Sequence, residues 1–233
     1  MSGVVWHDLE CGSYVEDLPV WLELADGCDG RLLDVGAGTG RVTLPIARAG
    51  HQVVALERDT ELASELRRRA AGLDVEVICG DACDFTLDSA VDLALVPMQT
   101  VHLLEDLGAF LRCTHAALRD GGRLAVALLG DGVEPFELEL EADTTEIAGV
   151  RYASAPTALR RENGAILLER RRTRSQAGAT QSSELDTIHL RELDAAELGR
   201  AAHSVGFQTL PSRVIAPTRE HAGSEIALME VRR

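Results

Sequence analysis

Three glycines spaced two residues apart form a loop with the chemistry of a ligand-binding turn. The segment reads Asp34-Val-Gly-Ala-Gly-Thr-Gly40, and it separates an apolar strand pattern at 32–35 from a helical pattern at 42–49. Glycine has no Cβ, so it adopts positive φ and lets a ligand approach the main chain closely. We expect the loop to present free amide donors at the start of the helix, where an anionic ligand group is favoured. A strand before the loop and a helix after it are the context that a cofactor-binding motif requires.

The spacing of the glycines distinguishes between classes of cofactor. A dinucleotide fingerprint needs glycines at the first, third and sixth positions, but Arg41 occupies the sixth position here. A phosphate-binding P-loop ends in Gly-Lys-Ser/Thr, and the chain contains no lysine. A carboxylate at Asp34 would repel a pyrophosphate and attract an ammonium. The loop therefore favours S-adenosylmethionine, whose amino-acid end carries an ammonium and which has no phosphate.

Two further acidic residues follow predicted strands. Glu57 ends the strand pattern 52–57, where its carboxylate is placed to accept hydrogen bonds from both hydroxyls of a ribose. Asp81 follows the strand 75–79, where its carboxylate could accept from an adenine amino group while the Ala82 amide donates to the ring. A competing interpretation is a tight βα turn in another doubly wound protein, such as an NAD-dependent oxidoreductase, with both acids solvated.

The order of these three motifs resembles the class I S-adenosylmethionine-dependent methyltransferases, and the resemblance covers about residues 14–129. It departs from the family where many members have Asp-x-Ser, because this chain has Glu57-Arg58-Asp59, which still keeps the ribose acceptor. The implied cofactor-binding residues are Tyr14, Asp34, Gly36, Ala37, Gly38, Arg41, Glu57, Arg58, Asp81, Ala82, Met98 and Gln99.

The N-terminal segment resembles a subset of small-molecule methyltransferases. Gly-Ser-Tyr14-x-x-Asp17 leads into the core as an amphipathic helix that begins at Tyr14, and in that subset this segment covers the cofactor. Tyr14 is then a cofactor contact. The alternative is that Tyr14 and Trp21 only pack in the core.

His102 is the candidate catalytic residue, as a general base. It follows the fourth predicted strand, 91–96, and ligands of open parallel sheets lie outside the carboxyl ends of the strands. Methyl transfer needs a base only when the acceptor is a hydroxyl or an ammonium, and a histidine pKa of about 6.5 suits that role. A histidine packed at the start of a helix is the competing interpretation. Asp131 and Glu134, after the fifth strand, are candidate anchors for an acceptor amine or hydroxyl.

Alternating strand and helix patterns from about 31 to 130 predict an α/β fold, with a Rossmann-like, seven-stranded, mostly parallel sheet and helices on both faces. Residues 137–190 have strand character, with a hairpin turn at Asn163-Gly164 and a polar loop at 175–183. We expect this antiparallel lid before a closing helix, 194–204, and strands at 209–216 and 225–231. The predicted organisation is one methyltransferase domain, with a helical cover (1–30), a cofactor-binding core (31–136), the lid (137–190) and closing elements (191–233).

The predicted lid is rich in arginine in an otherwise acidic chain. A solvated strand face or a homodimer contact is one interpretation, and a positively charged wall that receives an acidic substrate is the other. The arginines are Arg151, Arg160, Arg161, Arg170, Arg171, Arg172 and Arg174.

Composition restricts the partners. The net charge of −15 argues against nucleic acid, because phosphate neutralisation needs a basic surface, so we expect a small-molecule acceptor. The five cysteines lack zinc-site spacing, so no metal is expected. Without a signal-peptide pattern or an apolar run of about 18 residues, the expected location is cytoplasmic, with no membrane partner.

The sequence therefore predicts an enzyme that transfers a methyl group from S-adenosylmethionine to N or O of a small molecule in bacterial secondary metabolism, leaving S-adenosylhomocysteine. Among family members, the order of segments most resembles small-molecule enzymes with such an insertion, including amino-sugar N-methyltransferases. The alternative is a protein that binds the cofactor without methyl transfer, as a sensor or as a cyclase or isomerase.

Overall fold

The computed structural model describes residues 2–130, 134–217 and 223–232. The chain divides into two compact units, a smaller one of 1–13 with 133–192 and a larger one of 14–132 with 193–233. The helices are α1 (Ser2–Cys11), α2 (Leu18–Asp26), α3 (Thr43–Arg48), α4 (Thr60–Arg69), α5 (Leu107–Ala117) and α6 (Ala195–His203). The strands are β1 (Leu32–Val35), β2 (Val53–Glu57), β3 (Val75–Cys79), β4 (Val91–Val96), β5 (Leu118–Leu129), β6 (Phe136–Glu137), β7 (Asp143–Ile147), β8 (Val150–Glu162), β9 (Ala165–Gln176), β10 (Ala179–Arg191), β11 (Phe207–Ile215) and β12 (Ser224–Val231).

The larger unit is built on a seven-stranded sheet in the order β11-β12-β5-β4-β1-β2-β3. Strands β1 to β5 are parallel, and β12 and β11 add to one edge in antiparallel orientation. The strand order reverses between β1 and β4, which is where ligands bind in open α/β sheets. The predicted Rossmann-like sheet is confirmed.

Helices cover both faces of this sheet, which explains why its strands are apolar on both sides. Every residue of β1 and β2 is buried, as is typical of parallel strands enclosed between two helical layers. Leu33 and Val35 pack in one core with α5 and α6, whereas Leu32 packs in a second core with α2 and α3. No helix in the described ranges is long and apolar enough to span a membrane.

The helix α2 begins later than the sequence pattern predicts. It starts at Leu18 after Asp17, rather than at Tyr14, and Pro19 lies in its first turn. Proline suits a first helical turn because the N–H that it lacks would have no partner there. Tyr14 to Asp17 therefore precede the helix, and this short segment becomes part of the site described below.

The smaller unit is an antiparallel sheet in the order β10-β9-β8-β6, with β7 also paired to β8. Its strands occupy the region that the sequence assigns to an antiparallel insertion before the closing helix. Helix α1 packs on β7 and β8 of this sheet. The unit therefore combines the N-terminal helix with strands from the second half of the chain.

Three two-residue turns join the long strands, and both residues of each turn have positive φ. They are Ala148-Gly149, Asn163-Gly164 and Ala177-Gly178, a geometry typical of type I′ hairpins. The predicted hairpin at Asn163-Gly164 is confirmed. The predicted polar loop at 175–183 is wrong, because β9 continues to Gln176 and β10 begins at Ala179. Alanine is uncommon at positive φ, so the sequence carried no clear signal for this turn.

Candidate functional site

The glycine loop follows β1 directly and is shaped by the protein's own packing. Gly36, Gly38 and Gly40 all have positive φ, at 71°, 57° and 100°. A Cβ on Gly36 would lie 2.5 Å from Thr100 Cγ2, and a Cβ on Gly40 would lie 2.5 Å from Leu66 Cδ1. A side chain at either position would have to displace these neighbours and would adopt a strained backbone conformation.

Most main-chain amides of this loop already have acceptors. The Gly36 and Ala37 amides donate to the Leu56 carbonyl at 2.8 and 3.1 Å, and the Gly40 amide donates to the Ala37 carbonyl. The Gly38 amide donates to Glu57 Oε2 at 2.8 Å. The prediction that the loop presents free amide donors is wrong for these four groups. The main-chain bonding of β1 to β2 continues through Gly36 and Ala37, whereas Gly38 binds a side chain and Gly40 binds within the loop.

Asp34 is a buried carboxylate that is only half satisfied. Its Oδ2 accepts a 2.6 Å hydrogen bond from the Thr43 hydroxyl, whereas its Oδ1 is buried with no hydrogen-bond partner among the described residues. Burial raises the pKa of Asp34 to about 6, against the opposing effect of the Thr43 hydrogen bond. A buried acceptor without a donor is unfavourable, so a cationic donor at Oδ1 would both satisfy the oxygen and favour the charged form.

Glu57 is held in place by two main-chain amides at the carboxyl end of β2. Its Oε2 accepts from Gly38, and its Oε1 accepts from the Asp59 amide at 2.8 Å. Asp59 in turn caps helix α4, because its Oδ1 accepts from the amides of Glu61 and Leu62. Carboxylate oxygens have two lone pairs each, so Glu57 keeps the capacity to accept from two further hydroxyl groups.

The segment after β3 lies next to Glu57. Glu57 and Cys79 are register partners on adjacent strands, and the Gly80 amide donates to the Glu57 carbonyl at 3.0 Å. Asp81 Oδ1 accepts from the Cys83 amide at 2.8 Å, which fixes the side chain in a local turn. Ala82 is buried. The structure thus brings the predicted ribose and adenine residues to adjacent strand ends.

Tyr14 and Arg41 belong to a buried ionic cluster that the sequence did not reveal. Asp17 binds Arg41 through two contacts, Nη1 to Oδ1 at 2.5 Å and Nη2 to Oδ2 at 2.8 Å. Asp17 Oδ2 also accepts from Trp21 Nε1 at 2.7 Å. The Arg41 guanidinium lies 5.2 Å from the Tyr14 ring centroid and donates to the Tyr14 carbonyl at 2.8 Å. Arg41 therefore fixes the segment 14–17 beside the glycine loop.

Met98 and Gln99 follow β4 at the same sheet edge, and both are partly buried. Met98 has a φ of 53°, a conformation that is uncommon for a residue other than glycine and is often found at functional sites. Arg58, by contrast, is exposed on the surface after β2. Asp81 is also exposed.

His102 is buried in the short 3₁₀ turn Thr100–Leu103, where only 2% of it is exposed. Its Nε2 lies 3.1 Å from the main-chain nitrogen of Leu129, at the end of β5, and accepts that hydrogen bond. The histidine therefore joins the carboxyl ends of β4 and β5. This geometry agrees with the packing interpretation, and the role of His102 as a base remains a prediction.

Of the two predicted acceptor anchors, one falls among the described residues. Asp131 is outside the described residues, and Glu134 is exposed in the smaller unit. The arginines of 151–174 also belong to the smaller unit. Among the residues with described positions, no group of three or more His, Cys, Asp or Glu side chains is placed to hold a metal ion.

Comparison with known proteins finds a family match that covers most residues of this site. Residues 32–122 match the family model described as a methyltransferase domain. The cypemycin N-terminal methyltransferase of a Streptomyces species is 32% identical over 126 residues, which cover 52% of this chain and 50% of that protein. The ubiquinone biosynthesis O-methyltransferase of Nitrobacter winogradskyi is 31% identical over 114 residues, 48% of this chain and 43% of that protein. The chain thus spans about half the length of these relatives, or less.

Solved structures share the fold across the whole chain. The sugar N-methyltransferase KedS8 from Streptoalloteichus has a TM-score of 0.80 at 14% identity, covering 100% of this chain and 93% of that one. DesVI from Streptomyces venezuelae has a TM-score of 0.75 at 20% identity, covering 97% of each chain. Residues 32–122 thus resemble a methyltransferase domain, and the chain shares the fold of solved methyltransferases, so the predicted resemblance is confirmed at the level of the domain match and the fold.

Proposed function

We propose that the protein transfers a methyl group from S-adenosylmethionine to a nitrogen or oxygen atom of a small-molecule acceptor. The observation that carries the proposal is the buried carboxylate of Asp34, whose Oδ1 has no partner in the described structure. The ammonium of the cofactor's amino-acid end is the complementary group. The match of residues 32–122 to a methyltransferase domain supports the same conclusion.

We assign the two ends of the cofactor to different strand ends. Asp34 would bind the ammonium, and Tyr14 and Arg41 would border the same amino-acid end. Glu57 would accept from the ribose hydroxyls, and Asp81 from the adenine amino group. Gly36, Ala37, Gly38, Arg58, Ala82, Met98 and Gln99 remain predicted lining residues, and for Arg58 the exposed side chain gives no further support.

The bound cofactor supplies a methyl group on a positively charged sulfur that is a good leaving group. The chain's contribution is then mainly to hold the acceptor atom in line with that methyl group. We propose that three features fixed within the protein contribute to this positioning: the Glu57 carboxylate, the Asp17–Arg41 ion pair and the Met98 turn. Such preorganisation lowers the entropy that is lost when the reactants are aligned.

His102 would act on the acceptor only through a change in its present hydrogen bonding. Because Nε2 accepts from the Leu129 amide, its lone pair is occupied. In the neutral imidazole the other nitrogen, Nδ1, then carries the proton, so a base role requires release of the bond to Leu129. We propose His102 as the base for acceptors that must lose a proton.

The proposed class of acceptor and its biological setting rest on the charge of the chain and on proteins of the same fold. The acidic chain disfavours nucleic acid, and a sugar N-methyltransferase and an amino pentose methyltransferase are among the proteins of the same fold. We therefore propose an acceptor of bacterial secondary metabolism. Five free cysteines fit a reducing compartment such as the cytoplasm.

Two measurements test this function. Calorimetry with S-adenosylmethionine should show binding that Glu57→Gln weakens, while the exposed control Glu61→Gln leaves the affinity unchanged. Incubation with methyl-labelled cofactor and a panel of amines and alcohols should give a labelled product. Cofactor binding without any labelled product would favour a sensor or an isomerase, and tight NAD binding instead would refute the proposal.

A further inference from the structure

Three arginines project from one face of β9 in the smaller unit. Arg170, Arg172 and Arg174 alternate along the strand, so they lie on the same face. On β8 they are opposite Pro156, Ser154 and Tyr152 in turn. Helix α1 contacts this face, since the ring of Trp6 packs edge-on against Tyr152 with centroids 5.2 Å apart.

The central arginine, Arg172, is fully compensated. Its Nε and Nη2 bind the two carboxylate oxygens of Glu10 at 2.7 Å each, and its Nη1 lies 2.9 Å from Asp186 Oδ1. Glu10 also accepts from the buried Ser154 hydroxyl at 2.7 Å. Burial would raise the pKa of Glu10, but the hydrogen bonds from Arg172 and Ser154 hold it below its ordinary value.

The flanking arginines are not compensated in this way. Arg170 Nε and Nη1 and Arg174 Nε are buried, and none has an acceptor among the described residues. Arg174 lies 5.5 Å above the Tyr152 ring, which offsets part of its charge, but no such ring contact involves Arg170 in the described structure. On β10, Asp186 is the cross-strand neighbour of Arg170, but its Oδ1 contacts Arg172 Nη1. Glu10 interacts electrostatically with Arg170 but binds Arg172, and Glu184, opposite Arg172, is exposed.

An incompletely paired guanidinium at a half-buried position is unfavourable unless an anion completes it. Arginine arranges its N–H groups in a planar fork that matches carboxylate and phosphate oxygens. The low-dielectric surroundings of the buried nitrogens would strengthen such a contact. Three other arginines of this unit are paired: Arg160, Arg161 and Arg171 bind Glu137, Glu192 and Glu139 at exposed positions.

We propose that Arg170, assisted by Arg174, forms a binding site for the carboxylate or phosphate group of a small molecule. Arg172 serves as a fixed, neutralised spacer between the two arginines.

Direct binding, measured without S-adenosylmethionine, separates this proposal from the proposed function. Calorimetric titrations with inorganic pyrophosphate and with succinate, at constant ionic strength, distinguish phosphate from carboxylate recognition. Loss of one charge-assisted contact in Arg170→Gln should weaken the preferred probe by about tenfold, and Arg174→Gln should weaken it less. Arg170→Lys should keep part of the affinity because it retains the charge.

Arg171→Gln is the matched control, because it removes the same charge from the opposite face of the same strand. The affinity of Arg171→Gln for the preferred probe should stay within about twofold of the affinity of the unmodified protein. Melting temperatures of all four variants establish that each is folded. Equal weakening in Arg170→Gln and Arg171→Gln, or no binding of either probe to the unmodified protein, would overturn the proposal. If the probes bind as expected but no acceptor is methylated, only the proposed function fails.

Discussion

The two units of this protein bury charges of opposite sign without complete partners. In the larger unit the unpaired atom is a carboxylate oxygen of Asp34, and in the smaller unit the unpaired atoms are guanidinium nitrogens of Arg170 and Arg174. Each unit also contains a fully paired carboxylate and guanidinium: Asp17 with Arg41 in the larger unit and Glu10 with Arg172 in the smaller unit. The paired groups hold the structure together. The unpaired groups indicate ligands of opposite charge, an ammonium for one unit and an anion for the other.

The pKa values express the same contrast between buried carboxylates. Burial dominates at Asp34 and raises its pKa to about 6, whereas at Glu10 the contacts with Arg172 and Ser154 outweigh burial and lower the pKa. Burial alone therefore does not determine whether a carboxylate stays ionised. A cationic partner that donates hydrogen bonds to the carboxylate favours its ionised form and opposes the effect of burial.

Breaking the paired cluster of the larger unit should have the largest effect. Asp17→Asn leaves the buried Arg41 charge without its counterion, and we expect a loss of about 3–5 kcal/mol in the free energy of unfolding. Urea denaturation measures this loss. Asp26→Asn, which removes the acid of an exposed pair with His51, is the control and should cost under about 0.5 kcal/mol.

The equivalent change in the smaller unit should cost less, because Arg172 is more exposed than Arg41. Glu10→Gln should lower stability by about 2–3 kcal/mol. Hydrogen exchange should show the loss in β8 and β9, with β1 and β2 protected as before. Faster exchange throughout the seven-stranded sheet would contradict the assignment of this pair to a separate unit.

The pH dependence of stability should carry the signature of Asp34. Its pKa is about 6 in the folded protein against about 3.8 in the unfolded chain, so the folded state binds more protons between these values. Stability should therefore fall as the pH rises from about 4 to about 6, by up to about 3 kcal/mol. Asp34→Asn should lack this fall and should be more stable than the unmodified protein at pH 7, as measured by denaturation without cofactor. An unchanged pH profile in the variant would contradict the assignment.

The smallest change in stability should come from a substitution in a hairpin turn of the smaller unit. Ala177 has a φ of 50° in the turn that joins β9 to β10. Asparagine tolerates this conformation better than alanine, so Ala177→Asn should stabilise the protein by about 0.5 kcal/mol. Asn163→Ala, the reverse change at the equivalent turn, should destabilise by a similar amount in the same thermal melts.

The contrast between the units also explains what the sequence could predict. Glycine spacing and apolar strands were sufficient for the parallel sheet, since β1, β3 and β4 have the predicted bounds at 32–35, 75–79 and 91–96. The same local patterns placed Asp34, Glu57 and Asp81 at adjacent strand ends. These features depend on residues close in sequence or on the fixed order of a parallel sheet.

Features that depend on side chains distant in sequence were not predictable in this way. The Asp17–Arg41 pair joins residues that are far apart, and Tyr14-x-x-Asp17 was its only local signal. The hydrogen bond from the Gly38 amide to Glu57 was also not predictable, because it depends on how the end of β2 is placed relative to the glycine loop. In the smaller unit, the Ala177-Gly178 turn was missed because alanine is a weak signal for positive φ.

The central claim is that the unpaired oxygen of Asp34 receives the ammonium of S-adenosylmethionine. Calorimetric titration of the cofactor at pH 5 and pH 7, with the unmodified protein and Asp34→Asn, tests it most directly. Because Asp34 must ionise to bind the ammonium, affinity should rise about tenfold between these pH values in the unmodified protein. The variant should bind about 10- to 100-fold more weakly at pH 7 and with little pH dependence. Equal affinity of the two proteins at pH 7 would contradict the account.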